Sequence, residues 1–279
     1  MREHFRFARS GTGRAGLLLL ALVVGIAVIG PLFAPHSLDE PIGLPFSGPG
    51  SGAPLGTDDL GRDVLSRVLW GGRSVFVLAG IATAIAYAGG LFVGLLAGYT
   101  RSLVDPILMR SADVLLSFPA LLFLLVLVTG AGTSNATLVL GVAVIQMPQV
   151  ARIIRSATLA QSTRGFVEAA VARGESTASI LRRELLPNIV GPISADLGLR
   201  FTYSIILVAS LNFFGLGLQP PSADWALMIS ENRSGLTLNP WAVLAPAVLI
   251  ALLTIGVNLI GDAIARSQEQ SVLTVGRRS

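Results

Sequence analysis

The sequence predicts an all-α membrane protein with six transmembrane helices, and three observations carry that prediction. Of 279 residues, 52% are apolar and only 13% are charged, about half the charged share of a soluble domain. Five stretches, 15–38, 74–100, 114–151, 201–223 and 234–261, contain no Asp, Glu, Lys or Arg. A bilayer is crossed by about 20 mostly apolar residues in a helix, so four stretches hold one span each and 114–151 holds two. The 36 charged side chains are too few to cover one soluble core of this size, which excludes a soluble enzyme.

Missing residue types narrow the chemistry. Cysteine is absent, so there is no disulfide framework, thiolate metal site or cysteine nucleophile. His4 and His36 both fall outside the spans, which argues against a histidine metal site or Ser-His catalysis in the membrane. All 20 cationic side chains are Arg. A phosphate loop of the GxxxxGKS or GxxxxGKT form needs a Lys on the nucleotide phosphates, so the chain carries no standard ATPase domain. No catalytic, cofactor-binding or metal-binding residue is assigned, and no nucleic-acid partner is expected.

Span one covers about 15–34. Arg2, Arg6, Arg9 and Arg14 precede it, as they would a secretory signal. Its length of about 20 residues exceeds the 7–15 of a signal core, and it closes on Pro31-Leu32-Phe33-Ala34-Pro35, which is no small-x-small cleavage site. It reads as a retained anchor. Residues 35–56 are rich in Pro and Gly and read as an extended polar loop. Thr57 is placed as a helix N-cap, with Asp58 and Asp59 in the first turn where the dipole favours anions. Leu60, Val64, Leu65, Val68 and Leu69 recur at helical spacing. They predict a short amphipathic helix at the membrane interface, with Trp70 at headgroup level; a soluble helix packed on a loop is the alternative.

Span two covers about 75–99. Ala82, Ala86, Gly90, Gly94 and Gly98 are small, four apart, and line one face where another helix backbone can approach closely. Span three is about 113–130, and Gly130–Asn135 makes a short turn. Span four is about 136–152, interrupted by Pro148. The section 152–188 is polar and reads as two short helices broken near Gly174. Span five begins after Pro187, residues 215–240 form a second long loop, and span six is about 241–261. The chain thus divides into 1–74 (tail, first span and outward loop with its amphipathic helix), a five-span core over 75–262, and a tail over 263–279.

Arg placement sets the orientation. With the N-terminus inside, six spans put 15 Arg on the cytoplasmic side and four (Arg62, Arg67, Arg73, Arg233) outside, with Arg200 inside span five. This is a strong positive-inside bias. Both termini and the 152–188 loop are expected in the cytoplasm.

That loop carries Glu168-Ala169-Ala170, then Gly174, then Leu186-Pro187-Asn188. The pattern resembles the ATPase-coupling motif of binding-protein-dependent ABC importer permeases, in which a short cytoplasmic helix sits in a groove on the ATPase. The physics is helix-in-groove recognition. Ala169 and Ala170 allow close approach, Gly174 supplies a turn where a Cβ is costly, and Pro187 suits the first turn of a helix. Many members carry His where Glu184 stands and an aromatic residue where Ala178 stands.

Further stretches resemble the C-type permease subunits of dipeptide, oligopeptide and nickel importers: 55–67 (LGTDDLGRDVLSR), Ser117-Phe118-Pro119, 211–225 (LNFFGLGLQPPSADW) and 258–262 (NLIGD). The resemblance covers nearly all of 15–262; the tail after Asp262 departs from it. It implies a type I ABC importer permease architecture in the bacterial inner membrane. The chain would form half of a heterodimeric channel with a homologous B-type permease. Two cytoplasmic ATPase subunits would bind ATP and Mg below, and an extracytoplasmic solute-binding protein would deliver peptides above. The outward loops, 55–73 and 211–235, would meet the binding protein, form an external gate, or cap the bundle. Nickel or another small solute is the alternative cargo. An ion-coupled carrier is the alternative class. It needs intramembrane ionisable residues, and only Asp196 and Arg200 qualify. Four apart, they share a helix face in the favourable acid-first order. If span five starts directly after Asn188, they sit inside the membrane as a pair facing the pathway or its lining helices.

Overall fold

A computed structural model of the chain describes residues 10–50, 52–100, 104–217 and 222–276, without the side chains of 265 and 267–276. Arg2, His4, Arg6, Arg9, Arg101, Arg277, Arg278 and the stretch 218–221 of the 211–225 signature lie outside the described residues. Helix α1 is Gly11–Ile29 and tightens into a 3-10 turn over Gly30–Phe33. Then follow α2 (Val64–Thr100), α3 (Val104–Ser117), α4 (Ala120–Ala131) and α5 (Asn135–Ser162). A run of short elements comes next: α6 (Gly165–Ala172), α7 (Thr177–Ser179), a π-helical turn (Ile180–Leu185) and α8 (Leu186–Asn188). The chain ends with α9 (Val190–Phe213), α10 (Trp225–Asn232) and α11 (Trp241–Gly276). Five helices are long and apolar enough to cross a membrane, and the bent pair α3–α4 is the sixth candidate among the described residues. The only β-pairing there consists of isolated bridges in the loop 41–63.

The stripe of small residues on α2 meets α5. A Cβ at Gly90 would stand 2.6 Å from Val150 Cγ1, one at Gly94 2.6 Å from the Ala151 carbonyl, and one at Gly98 2.7 Å from Thr158 Cβ. Ala82 packs in one apolar cluster with Val142 and Ile145 of α5. The two backbones are therefore as close as side chains allow, which gives dispersion contact where lipid removes any hydrophobic drive. Helix α1 lies on α11, with Gly16 against Gly256.

The structure corrects four expectations. Thr57 is not an N-cap and no separate amphipathic helix precedes span two. Thr57 Oγ1 instead accepts from the Ser47 amide and donates to the Leu44 carbonyl, and one helix runs unbroken from Val64 to Thr100. Asp58 is fully buried in the preceding loop. It accepts from the Leu60 and Arg62 amides at 2.9 and 2.8 Å and pairs with Arg62 Nε at 2.7 Å and with Arg67. Arg67 also reaches Glu231 on α10 at 3.0 Å. Gly56 and Gly61, at φ +72° and +77°, hold backbone geometry that a helix through this stretch would forbid.

Span three is not one helix. α3 and α4 meet at Phe118-Pro119 with a bend of 85°, because the residue before a proline is driven out of the α region. Pro148, by contrast, interrupts nothing: α5 runs through it for 28 residues to Ser162, as neighbouring helices in a membrane permit. Finally, the loop 215–240 contains α10. Asp224 caps it by accepting from the Ala226 and Leu227 amides, and Trp225 is buried with Nε1 donating to the Val68 carbonyl at 2.7 Å. Burial pushes the Asp224 carboxyl above its ordinary range.

Candidate functional site

The expected coupling residues occupy one compact projection after α5. The chain turns at Gly174 and then runs through short helical pieces into α9. Helix α6 ends at Ala172, and Gly174 at φ +75° turns the chain. Ser176 then caps α7 by accepting from the Ser179 amide. Pro187 lies in the first turn of α8, and Asn188 Nδ2 donates to the Glu184 carbonyl at 2.6 Å.

Helix α6 is divided between two duties. Val167 and Ala170 are buried with Ile180 and Leu185, and this cluster is seated on Leu95 and Tyr99 near the end of α2. Glu168, Ala169 and Val171 face outward, Val171 with 54% of its surface exposed. The two alanines of the motif therefore part company. Ala169 is free for close approach by a partner, whereas Ala170 is a core residue of this chain. A Cβ at Gly174 would meet nothing within 4 Å, so within this chain glycine answers to the turn and not to a neighbour. Leu186 is half-buried, and Pro187 and Asn188 are exposed. Arg173 braces the turn through Glu175 at 2.6 Å and Glu184 at 3.5 Å. The Arg173 guanidinium, with the Ser179 hydroxyl, holds the Glu175 carboxyl below its ordinary range.

The second group lies inside the bundle. Helix α9 begins at Val190, so Asp196 and Arg200 sit about 9 and 15 Å along it at 1.5 Å per residue. Their side chains are 8% and 12% exposed and pair at 3.0 Å. Tyr87 of α2 donates its hydroxyl to Asp196 at 2.8 Å, and Gln149 of α5 accepts from Arg200 Nη1. A single polar knot thus ties α2, α5 and α9. One turn further, Thr83, Gln146 and Ser204 form a second buried knot between the same helices, with Thr83 Oγ1 and Ser204 Oγ 2.8 Å apart and Gln146 Nε2 at 2.6 Å from Ser204 Oγ. Sequence reasoning missed Tyr87, Gln149, Thr83 and Gln146. The available signal was α9 itself, where Asp196, Arg200, Ser204 and Asn212 fall at multiples of four. The cluster of Asp58, Arg62, Arg67 and Glu231 was also missed, since its members are 173 positions apart at the extremes.

Residues 90–273 match the family of binding-protein-dependent transport system inner membrane components, and the chain belongs to that family: it is a permease subunit of an ABC importer, not an enzyme. It is similar to the glutathione transport system permease protein GsiD of Pectobacterium atrosepticum, with 36% identity over 93% of this chain and 87% of that one. It is similar also to the dipeptide transport system permease protein DppC of Alkalihalophilus pseudofirmus, 32% identical over 94% and 87%. The di/tripeptide transport system permease protein DppC of Pseudomonas aeruginosa is 31% identical over 92% and 88%. The fold is shared with a chain of the MetNI methionine ABC transporter, solved in inward-facing conformations, with a TM-score of 0.60 and 18% identity over 72% of this chain and 95% of that one.

Proposed function

We propose that the chain forms half of the translocation pathway of an ATP-driven importer of short peptides. Its other half is a homologous B-type permease. Two ABC ATPase subunits, which hold ATP and Mg, bind its cytoplasmic face, and an extracytoplasmic solute-binding protein delivers cargo. Peptide cargo is supported by the names of three similar permeases, which describe glutathione, dipeptide and di/tripeptide transport. The inside position of both termini and of 152–188 is supported by the 15-to-four Arg division.

The observation that carries the coupling role is the two-sided α6. Its inner face is fixed to the end of α2, and its outer face, Glu168, Ala169 and Val171, is open. A partner that grips the open face therefore pulls on the bundle itself. Gly174→Glu tests this. A Cβ at this position meets nothing within 4 Å in its own chain, and the left-handed φ costs about 1–2 kcal/mol, a strain that Gly174→Ala shares. In assembled complexes Gly174→Ala should keep substrate-stimulated ATP hydrolysis, whereas Gly174→Glu should insert normally and lose it. Full stimulation in Gly174→Glu would show that α6 and its turn are not the docking element.

A further inference from the structure

Helix α3 is divided lengthwise, and its two sides point to different surroundings. Its acids turn to α5: Asp105 accepts from Arg155 Nε at 2.5 Å and Nη2 at 2.6 Å, and Asp113 pairs with Arg152. Those acids are eight residues apart on α3, about 12 Å along its axis, while their partners are three apart on α5, about 4.5 Å. Helix α3 therefore crosses α5 and does not run beside it. The 85° bend to α4 agrees. Leu124 and Leu127 of α4 lie against Gly141 of α5, so α4 belongs to the bundle and α3 is turned out across its end.

On the open side, Val104, Ile107 and Val114 are 38%, 64% and 60% exposed. Steps of three and seven residues put them on one stripe. Arg110 stands exposed between Ile107 and Val114 and joins no ion pair among the described residues.

We propose that α3 lies flat in the membrane surface, with Ile107 and Val114 in the acyl boundary and Arg110 on the phosphates of anionic lipid. The leaflet, cytoplasmic, rests on the orientation proposed above. An apolar stripe of this kind sinks about 5–10 Å below the headgroups, and an Arg within it extends its head back to the interface. Charge complementarity selects lipid over protein. A protein groove would need one acid placed opposite Arg110 amid apolar contacts, whereas an anionic leaflet offers phosphates all along the stripe.

The absence of native cysteine makes the test direct. Ile107→Cys and Val114→Cys are spin-labelled in the full complex reconstituted into phosphatidylglycerol-containing bilayers, and depth is read from oxygen against nickel-chelate accessibility. A flat helix gives the two labels the same depth within about 3 Å, both open to oxygen. A helix that crosses the membrane separates them by about 10 Å, seven residues at 1.5 Å each, and overturns the proposal. So does low access to both reagents, which marks a protein-covered face. Arg110→Glu should shift the Val114→Cys label outward in anionic but not in zwitterionic bilayers; the same depth in both overturns the phosphate contact. Sidedness is read separately with Ser111→Cys and an impermeant thiol reagent. Reaction from the extracytoplasmic side alone would overturn the orientation while leaving the flat helix standing.

Discussion

Removing the acid of the α9 pair strands a buried cation, and the size of the effect follows from the partners left behind. In the native chain Asp196 accepts from Arg200 and Tyr87, while Arg200 also donates to Gln149. Asp196→Leu keeps the branch at Cγ but deletes the negative charge that pairs with Arg200. Breaking a buried pair from one side costs about 3–5 kcal/mol, and the surviving bond to Gln149 puts the value at about 3. The Tyr87 hydroxyl, now without its short acceptor, adds to it. Asp196→Leu with Arg200→Met removes both charges; the residual cost is a Tyr87 hydroxyl left with only the long contact to the Ile193 carbonyl at 3.5 Å, about 1–2 kcal/mol. Adding Tyr87→Phe should recover most of that. The order of stability is therefore single below double below triple, although the triple carries the most changes. The assay is the unfolding midpoint of the complex in lipid nanodiscs, followed by Trp fluorescence. At roughly 2–4 °C per kcal/mol, the single change, about 4–5 kcal/mol with the Tyr87 contribution, should lower the midpoint by about 8–20 °C, and the double, about 1–2 kcal/mol, by about 2–8 °C. Equal, small shifts in the single and the double would refute the reasoning, because they would mean that water already solvates the pair.

Three other outcomes follow from the geometry. Gly94→Leu forces a side chain into the Ala151 carbonyl 2.6 Å away, so it should separate α2 from α5 and abolish assembly, measured as recovery of intact complex, while the same change at Gly80, where nothing lies within 4 Å, should be tolerated. Asp224 has a raised folded pKa from burial; a raised acid favours folding fully below the unfolded value, about 3.9, and that contribution is lost as pH rises through the folded value. Asp224→Asn keeps the cap acceptor, so thermal midpoints should show it gaining on the native chain as pH is raised from 4 to 8. Single cysteines at 12, 160 and 274 should be shielded from an impermeant thiol reagent in intact cells, and those at 50 and 236 should react; labelling at 160 from outside would reverse the orientation.

The helical bundle was legible because its signals are local. Charge-free length located the membrane helices, the four-residue spacing of small residues marked the face of α2 that meets α5, Gly174 marked a turn and Pro187 the first turn of a helix. The stretch 57–63 was misread because Leu60 and Val64 fit a helical period, while what holds it open, the reach of Arg67 and Glu231 to Asp58 and Arg62, joins segments far apart in sequence. The bend at Phe118-Pro119 had a visible cause, but a charge-free run around it outweighed one proline. The roles of Ala169 and Ala170 looked alike in sequence. Only the packing of α6 on Leu95 and Tyr99 separates the open one from the buried one.

The length of α2 has a mechanical consequence. Its 37 residues make a rod about 55 Å long, stiffened along its inner half by contact with α5 at glycine distance. One end carries the seat of α6 through Leu95 and Tyr99. The other carries Arg67, locked to Asp58 and Glu231 and so to α10. A tilt imposed at the α6 end cannot be absorbed within such a rod. It arrives at the opposite face of the membrane as a displacement of the loop 56–63 and α10 together, with the lever arm set by where the neighbouring helices provide the fulcrum.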